Sequence, residues 1–135
     1  MKRGVDLDGV LTPIRVYNVE TKLPWWCALW LIFLPADRKI VKTLKVWQKV
    51  GDEIIIISAR PKQMESLTRL WLKIMKIPFT DIVLIGPGEE TPKRKWKVIR
   101  EKRIEMFMDD DQRTIEFIRR QSPVIKTILV EKQQR

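Results

Sequence analysis

Unbroken aliphatic runs alternate with amphipathic stretches along most of this chain. Residues 53–57 and 81–85 each carry four consecutive aliphatic side chains after an acid, the pattern of strands buried on both faces of a parallel sheet. Residues 104–108 and 124–130 read as two further strands. Between these runs the period changes. Over residues 37–50, Ile40, Leu44 and Trp47 share one helical face, and Gly51 stands where a C-terminal cap belongs. Over residues 62–76, Met64, Leu67, Trp71 and Ile74 form a similar stripe, and shorter helices are predicted for 92–103 and 112–120.

Strands that alternate with helices predict βαβ units, hence an α/β, Rossmann-like three-layer fold around a central parallel sheet. In such sheets ligands bind beyond the carboxyl ends of the strands, where the strand order reverses. Those ends carry Asp6 and Asp8, Ser58 and Arg60, and Asp109 to Asp111. Only Gly4 and Val5 precede Asp6 as strand-compatible residues, so Lys2 and Arg3 must complete the first strand. Residues 23–35 stand apart, with three of the six tryptophans. This stretch is shorter than the roughly 20 residues a spanning helix needs, so no stable membrane insertion is expected. A lid, a dimer contact, a membrane-surface element and packing beside the first strand all fit it.

With 135 residues the chain is expected to form a single domain over 1–135. It has no histidine, which removes Ser/His/Asp and Cys/His nucleophiles and His-ligated zinc. Cys27 is the lone cysteine, and Asp6 interrupts the N-terminus before a signal-peptide core can form, so a cytoplasmic location is expected. Chemistry must come from carboxylates, hydroxyls, Lys, Arg and a bound metal. The net charge of +10 favours an anionic partner or substrate, although a solvated basic surface explains it equally well.

The most informative stretch is Val5-Asp6-Leu7-Asp8-Gly9-Val10-Leu11-Thr12. Two acids one residue apart at a strand end can divide labour: one attacks phosphorus, the other donates a proton to the leaving oxygen and later activates water. Together they supply oxygen ligands of the kind Mg²⁺ prefers, and Gly9 permits the sharp turn that keeps both in one pocket. An EF-hand needs further acids at fixed offsets, which Val10-Leu11-Thr12-Pro13 lacks. Three more elements arrive in order. Ser58 and Arg60 follow a strand and can hold phosphoryl oxygens, the arginine bidentately. Lys93, Lys95 and Lys97 open the helix before the fourth strand, where an ammonium can neutralise developing charge. Asp109, Asp110 and Asp111 then follow that strand as a second anchor for a metal.

That order resembles the four motifs of the HAD (haloacid dehalogenase-like) hydrolases over nearly the whole chain. The resemblance implies an HAD-like fold and a Mg²⁺-dependent phosphatase. It makes Asp6 the nucleophile and Asp8 the general acid/base, with Ser58 and Lys95 as the second and third catalytic motifs. Arg60 and Thr12 would contact substrate. The metal would be held by Asp6, the backbone carbonyl of Asp8, and Asp110, with Asp109 in support. Lys95 is preferred to Lys93 because Val98 and Ile99 follow it at the family's helical spacing. Ser58-Ala59-Arg60-Pro61 followed by Thr68-Arg69-Leu70-Trp71 is similar to two branches, the 5′(3′)-deoxyribonucleotidase-like proteins and the 3′-phosphatase domain of polynucleotide kinases. Only a flap, at 13–36, separates the first motif from the next helix, so the cap is minimal and the site open.

The resulting expectation is a phosphomonoesterase acting through an aspartyl-phosphate, on nucleotides or, alternatively, on nucleic-acid ends. The basic run 93–103, which includes Trp96, can steer a phosphate backbone or form a solvated helix face with Trp96 packed inward. A non-catalytic nucleic-acid binder on the same scaffold has no use for both Asp6 and Asp8. A response-regulator-like phosphoacceptor would carry its aspartate on a central strand rather than in an N-terminal DxDG.

Overall fold

The computed structural model describes residues 1–12 and 36–131. Strand β1 (Lys2–Asp6) leads through the segment around Gly9 towards α1 (Arg38–Lys49) and β2 (Glu53–Ser58). A 3-10 turn (Lys62–Met64) opens α2 (Glu65–Ile74), followed by β3 (Asp81–Leu84), α3 (Thr91–Glu101), β4 (Met106–Asp109), α4 (Gln112–Gln121) and β5 (Lys126–Leu129). The strands form one sheet in the order β3-β2-β1-β4-β5, and every neighbouring pair is parallel. The chain moves outward from β1 to β3, then crosses back to β4, so the order reverses between β1 and β4.

This crossing divides the helices. Val5, Ile54, Ile56 and Ile82 pack with Leu44 and Trp71 beneath α1 and α2. Ile55, Ile57 and Phe107 pack with Ile99, Ile115 and Ile118 beneath α3 and α4. Successive strand residues face opposite sides, so the four isoleucines of β2 feed both cores by turns. That is why its apolar run has no gap.

β3 departs from the expectation of burial on both faces. It is an edge strand bonded to β2 alone, with Ile82 and Leu84 buried and Val83 only partly covered. Ile104 precedes β4 rather than lying in it, its N–H bonding Ile99 O at 3.0 Å. The last strand is shorter than expected, because Val124 is 87% exposed and pairing starts at Lys126. Lys2 and Arg3 do complete β1. Arg3 pairs with Asp52 at 2.8 Å and stacks 4.3 Å from the Trp47 ring, which keeps its charge at the sheet's amino-terminal rim. Gly51 has φ of +89°, the left-handed conformation of a helix-ending glycine.

The Trp-rich stretch, and the expected flap except for Ala36, lie outside the described residues. No helix among the described residues is long and apolar enough to cross a membrane.

Candidate active site

The segment after β1 is wound tightly. Leu7 O accepts from the N–H groups of Leu11 at 2.8 Å and Thr12 at 3.2 Å, and Gly9 N–H donates to Thr12 Oγ1 at 3.1 Å. Gly9 adopts φ of +87°, and a Cβ there would collide with the Asp110 carboxylate. Glycine thus serves twice, by permitting the turn and by letting the acid that follows β4 close against the DxDG loop.

Sheet register brings Asp6 and Asp109 together. Val5 lies opposite Met108 across β1 and β4, so the next residue on each strand is one of the two acids. Between them α3 inserts Lys95, whose Nζ lies 3.1 Å from Asp6 Oδ1 and 2.8 Å from Asp109 Oδ2, with all three side chains buried. Lys95 reaches inward because it precedes buried Ile99 by one helical turn. Lys93, two positions earlier, is exposed. Asp109 Oδ1 also accepts the N–H of Asp111, whose own side chain caps α4 through Arg113 N–H and Thr114 Oγ1.

Asp8 occupies a second, separate arrangement. Its Oδ2 accepts Arg60 Nε at 3.0 Å and its Oδ1 accepts an Arg60 terminal nitrogen at 2.8 Å. The other terminal nitrogen donates to Thr68 Oγ1 at 3.1 Å, and Arg60 is only 1% exposed. Arg60 was expected on the substrate; here its planar fork is bonded to Asp8 and to the α2 hydroxyl. Thr12, also expected on the substrate, is buried, with its hydroxyl closing the Gly9 turn. Ser58, at the end of β2, accepts the N–H of Arg60 at 3.1 Å, which leaves its own O–H to donate.

Charge is balanced differently in the two arrangements. Burial pushes the Asp6 carboxyl well above the usual carboxylate range; Asp109 adds to this, Lys95 opposes it, and Asp8 and Asp110 raise it further. Burial alone would lower Lys95, but Asp6 and Asp109 outweigh it and hold the ammonium above its ordinary range. Lys95 is bonded to two carboxylates, and one ammonium cannot neutralise both. Asp6, Asp109 and Asp110 each offer an oxygen, and these oxygens lie within 4.8 Å of one another. A compact, all-oxygen, negatively charged set fits a hard divalent cation such as Mg²⁺.

Sequence reasoning missed the Asp8–Arg60–Thr68 linkage. The helix carrying Thr68 was visible, but a contact spanning 52 residues between Asp8 and Arg60 leaves no local signature. The basic run 93–103 is partly consumed by structure. Lys95 enters the site, Arg94 donates to Gly86 O, Lys102 pairs with Asp81, and Trp96 packs against the α3/α4 core.

No protein-family model matches the chain, and no curated protein resembles it in sequence. Solved structures do. A chain of the Pnkp1/Rnl/Hen1 complex superposes with a TM-score of 0.75 at 18% identity, over 96% of this chain and 45% of its own. The HAD domain of the effector protein Lem4 from Legionella pneumophila gives 0.66 at 15% identity, over 98% of this chain and 86% of that one. The D,D-heptose 1,7-bisphosphate phosphatase from B. bronchiseptica, complexed with magnesium and phosphate, gives 0.56 at 12% identity, over 87% and 74%. The chain thus spans less than half the length of the Pnkp1-complex chain it matches. Its fold is that of the HAD domains.

Proposed function

We propose that this protein is a Mg²⁺-dependent phosphomonoesterase that acts through an aspartyl-phosphate on Asp6. The observation that carries the proposal is the cluster of Asp6, Asp109 and Asp110 oxygens, with the buried Lys95 ammonium on Asp6 and Asp109 and with Asp8 two residues from the nucleophile. An Asp6 oxygen attacks phosphorus and the bond to the leaving oxygen breaks, that oxygen taking a proton from Asp8. Asp8 then removes a proton from water, whose oxygen attacks phosphorus and releases Asp6 and inorganic phosphate. Lys95 compensates charge on Asp6 and on the phosphoryl group, and the Ser58 hydroxyl donates to a phosphoryl oxygen. Asp6, the Asp8 carbonyl and Asp110 would hold Mg²⁺, with Asp109 in support; when bound, the ion offsets the carboxylate charge and that of the phosphoryl oxygens.

Arg60 acts through Asp8 rather than on the substrate. Two parallel bonds fix the plane of the carboxylate, and one must loosen when Asp8 carries the proton.

The proposed substrates are nucleotide phosphates, either free nucleotides or the ends of a nucleic acid. Likeness to the heptose bisphosphate phosphatase, solved with magnesium and phosphate, supports the chemistry. Ser58-Ala59-Arg60-Pro61 and Ile77-Pro78-Phe79 favour free nucleotides through the nucleotidase-like resemblance. Likeness to a chain of the Pnkp1/Rnl/Hen1 RNA repair complex favours nucleic-acid ends. A test compares release of phosphate from an aryl phosphate, mononucleotides and 3′- or 5′-phosphorylated oligonucleotides, with Mg²⁺ and with excess chelator. Full activity in chelator would refute the metal, and inactivity on every substrate would refute the phosphatase.

A further inference from the structure

Helix α1 carries basic residues and no acid. Arg38, Lys39, Lys42, Lys45 and Lys49 are all exposed, and Arg38, Lys42, Lys45 and Lys49 recur at the i, i+4, i+7, i+11 spacing that puts them on one face. At 1.5 Å per residue this row is about 16 Å long. None of these cations is ion-paired among the described residues, whereas Lys2, Arg3, Arg69 and Lys102 each have a carboxylate partner. The row has a direction. Asp37, the N-cap of α1, donates its backbone N–H to Leu11 O at 2.8 Å, so Arg38 stands beside the loop that carries Asp8. At the other end Lys45 and Lys49 join Lys76, Gln48, Ile77 and Pro78 around an open cavity of about 320 Å³.

We infer that α1 is a track for single-stranded nucleic acid, running from the rim of the Asp6–Asp8 site to the cavity at Lys76. Unpaired cations spaced by one helical turn match a linear row of phosphates, and each phosphate they neutralise releases counterions. A membrane surface fits less well. A helix lying on lipid must offer a broad apolar face, and α1 spends that face on the sheet through Leu44, Ile40, Val41 and Trp47, leaving only Val46 and Val50 as exposed large apolar side chains. The run on α3 is the weaker rail, because Glu89, Glu90 and Glu101 flank it and Arg94 and Lys102 are engaged. Strand binding on α1 stands apart from the reaction, but delivery of a strand end to Asp6 rests on the phosphatase reading.

The test is anisotropy of a fluorescein-labelled single-stranded RNA 15-mer without a terminal phosphate, titrated with the whole protein at several salt concentrations. The combined variant K42E/K45E/K49E should weaken binding at least tenfold and reduce the log–log salt slope by about 2, at roughly 0.7 per lost contact. K42R/K45R/K49R should restore the affinity, and R113E/R119E/R120E on α4, an equal charge change on the opposite face, should weaken it far less. All three should keep wild-type hydrolysis of an aryl phosphate; a wild type inactive on that ester and on every nucleotide and oligonucleotide phosphate refutes the phosphatase reading and leaves the track standing. Equal weakening by the α1 and α4 variants would overturn the track in favour of bulk charge. So would wild-type affinity in K42E/K45E/K49E, or tighter α1-dependent binding of polyglutamate or phosphatidylserine vesicles.

Discussion

The two aspartates of the DxDG loop sit two residues apart yet in opposite electrostatic situations. Asp8 has an arginine to itself, held by two bonds, and the pair is neutral. Asp6 shares one buried lysine with Asp109, and one ammonium cannot neutralise both carboxylates. A charge-paired carboxylate held by two bonds has a fixed plane and position. An undercompensated cluster is suited to capturing a cation, since the binding of that cation relieves its repulsion. Proximity in sequence therefore says little about surroundings; the partners supplied by the loop after β2, by α3 and by β4 make the difference.

The largest expected effect comes from the undercompensated half. Asp6→Asn should lower phosphatase activity below detection on every substrate, because the amide is a poor nucleophile and a weaker metal ligand; measurable turnover by this variant would remove Asp6 as nucleophile. Asp8→Asn should cost about 10²–10⁴-fold on an alkyl phosphate and much less on an activated aryl ester, whose leaving group needs no proton. Equal losses on both esters would deny Asp8 the donor role.

Arg60→Lys tests the locked half. It keeps a charge but loses the fork, and misplacing Asp8 in this way should reduce kcat about 10²-fold with little change in KM. A change confined to KM would instead return Arg60 to the substrate. Arg60→Ala should also lower stability by about 3–5 kcal/mol, the usual cost of leaving one member of a buried pair alone, as read by chemical denaturation.

The smallest effect is on stability without turnover, and it sharpens the contrast. Asp6 has a folded-state pKa raised above the unfolded value, so its contribution is full at low pH and is lost as pH rises through the folded pKa. In chelator at neutral pH, Asp6→Asn should therefore raise Tm, and this gain should shrink as the medium is acidified below the ordinary carboxylate range. Mg²⁺ should raise the Tm of the wild type and do much less for Asp110→Asn. An Asp6→Asn variant that is less stable than wild type in chelator would contradict the undercompensated cluster.

Local pattern was enough for the elements. The all-isoleucine run of β2, the stripe of Met64, Leu67 and Trp71, and the capping position of Gly51 are each decided by neighbours within a turn or a strand, whereas Ile74, expected in that stripe, is 51% exposed at the end of α2. The choice between Lys93 and Lys95 was nearly legible too, since residues two apart on a helix point in opposite directions and Ile99 marks the inner one. The edge position of β3 was not legible, because the four aliphatics at 82–85 resemble those of β2. An aliphatic run records hydrophobicity, whereas the number of neighbouring strands depends on where the crossover lands.

By itself the sequence determined the alternation of strands and helices, hence the sheet, and placed Asp6, Asp8, Ser58 and Asp109 at strand ends through periods of two and 3.6 residues. Only the tertiary structure decided what each acid faces. The register of β1 against β4 sets Asp6 beside Asp109, the packing of α3 drives Lys95 between them, and the loop after β2 returns Arg60 to Asp8. The side-chain bonds that result join residues 14 to 89 positions apart in the chain. No short-range pattern encodes them, since they form only when the two cores on either side of the sheet have brought the strand ends together.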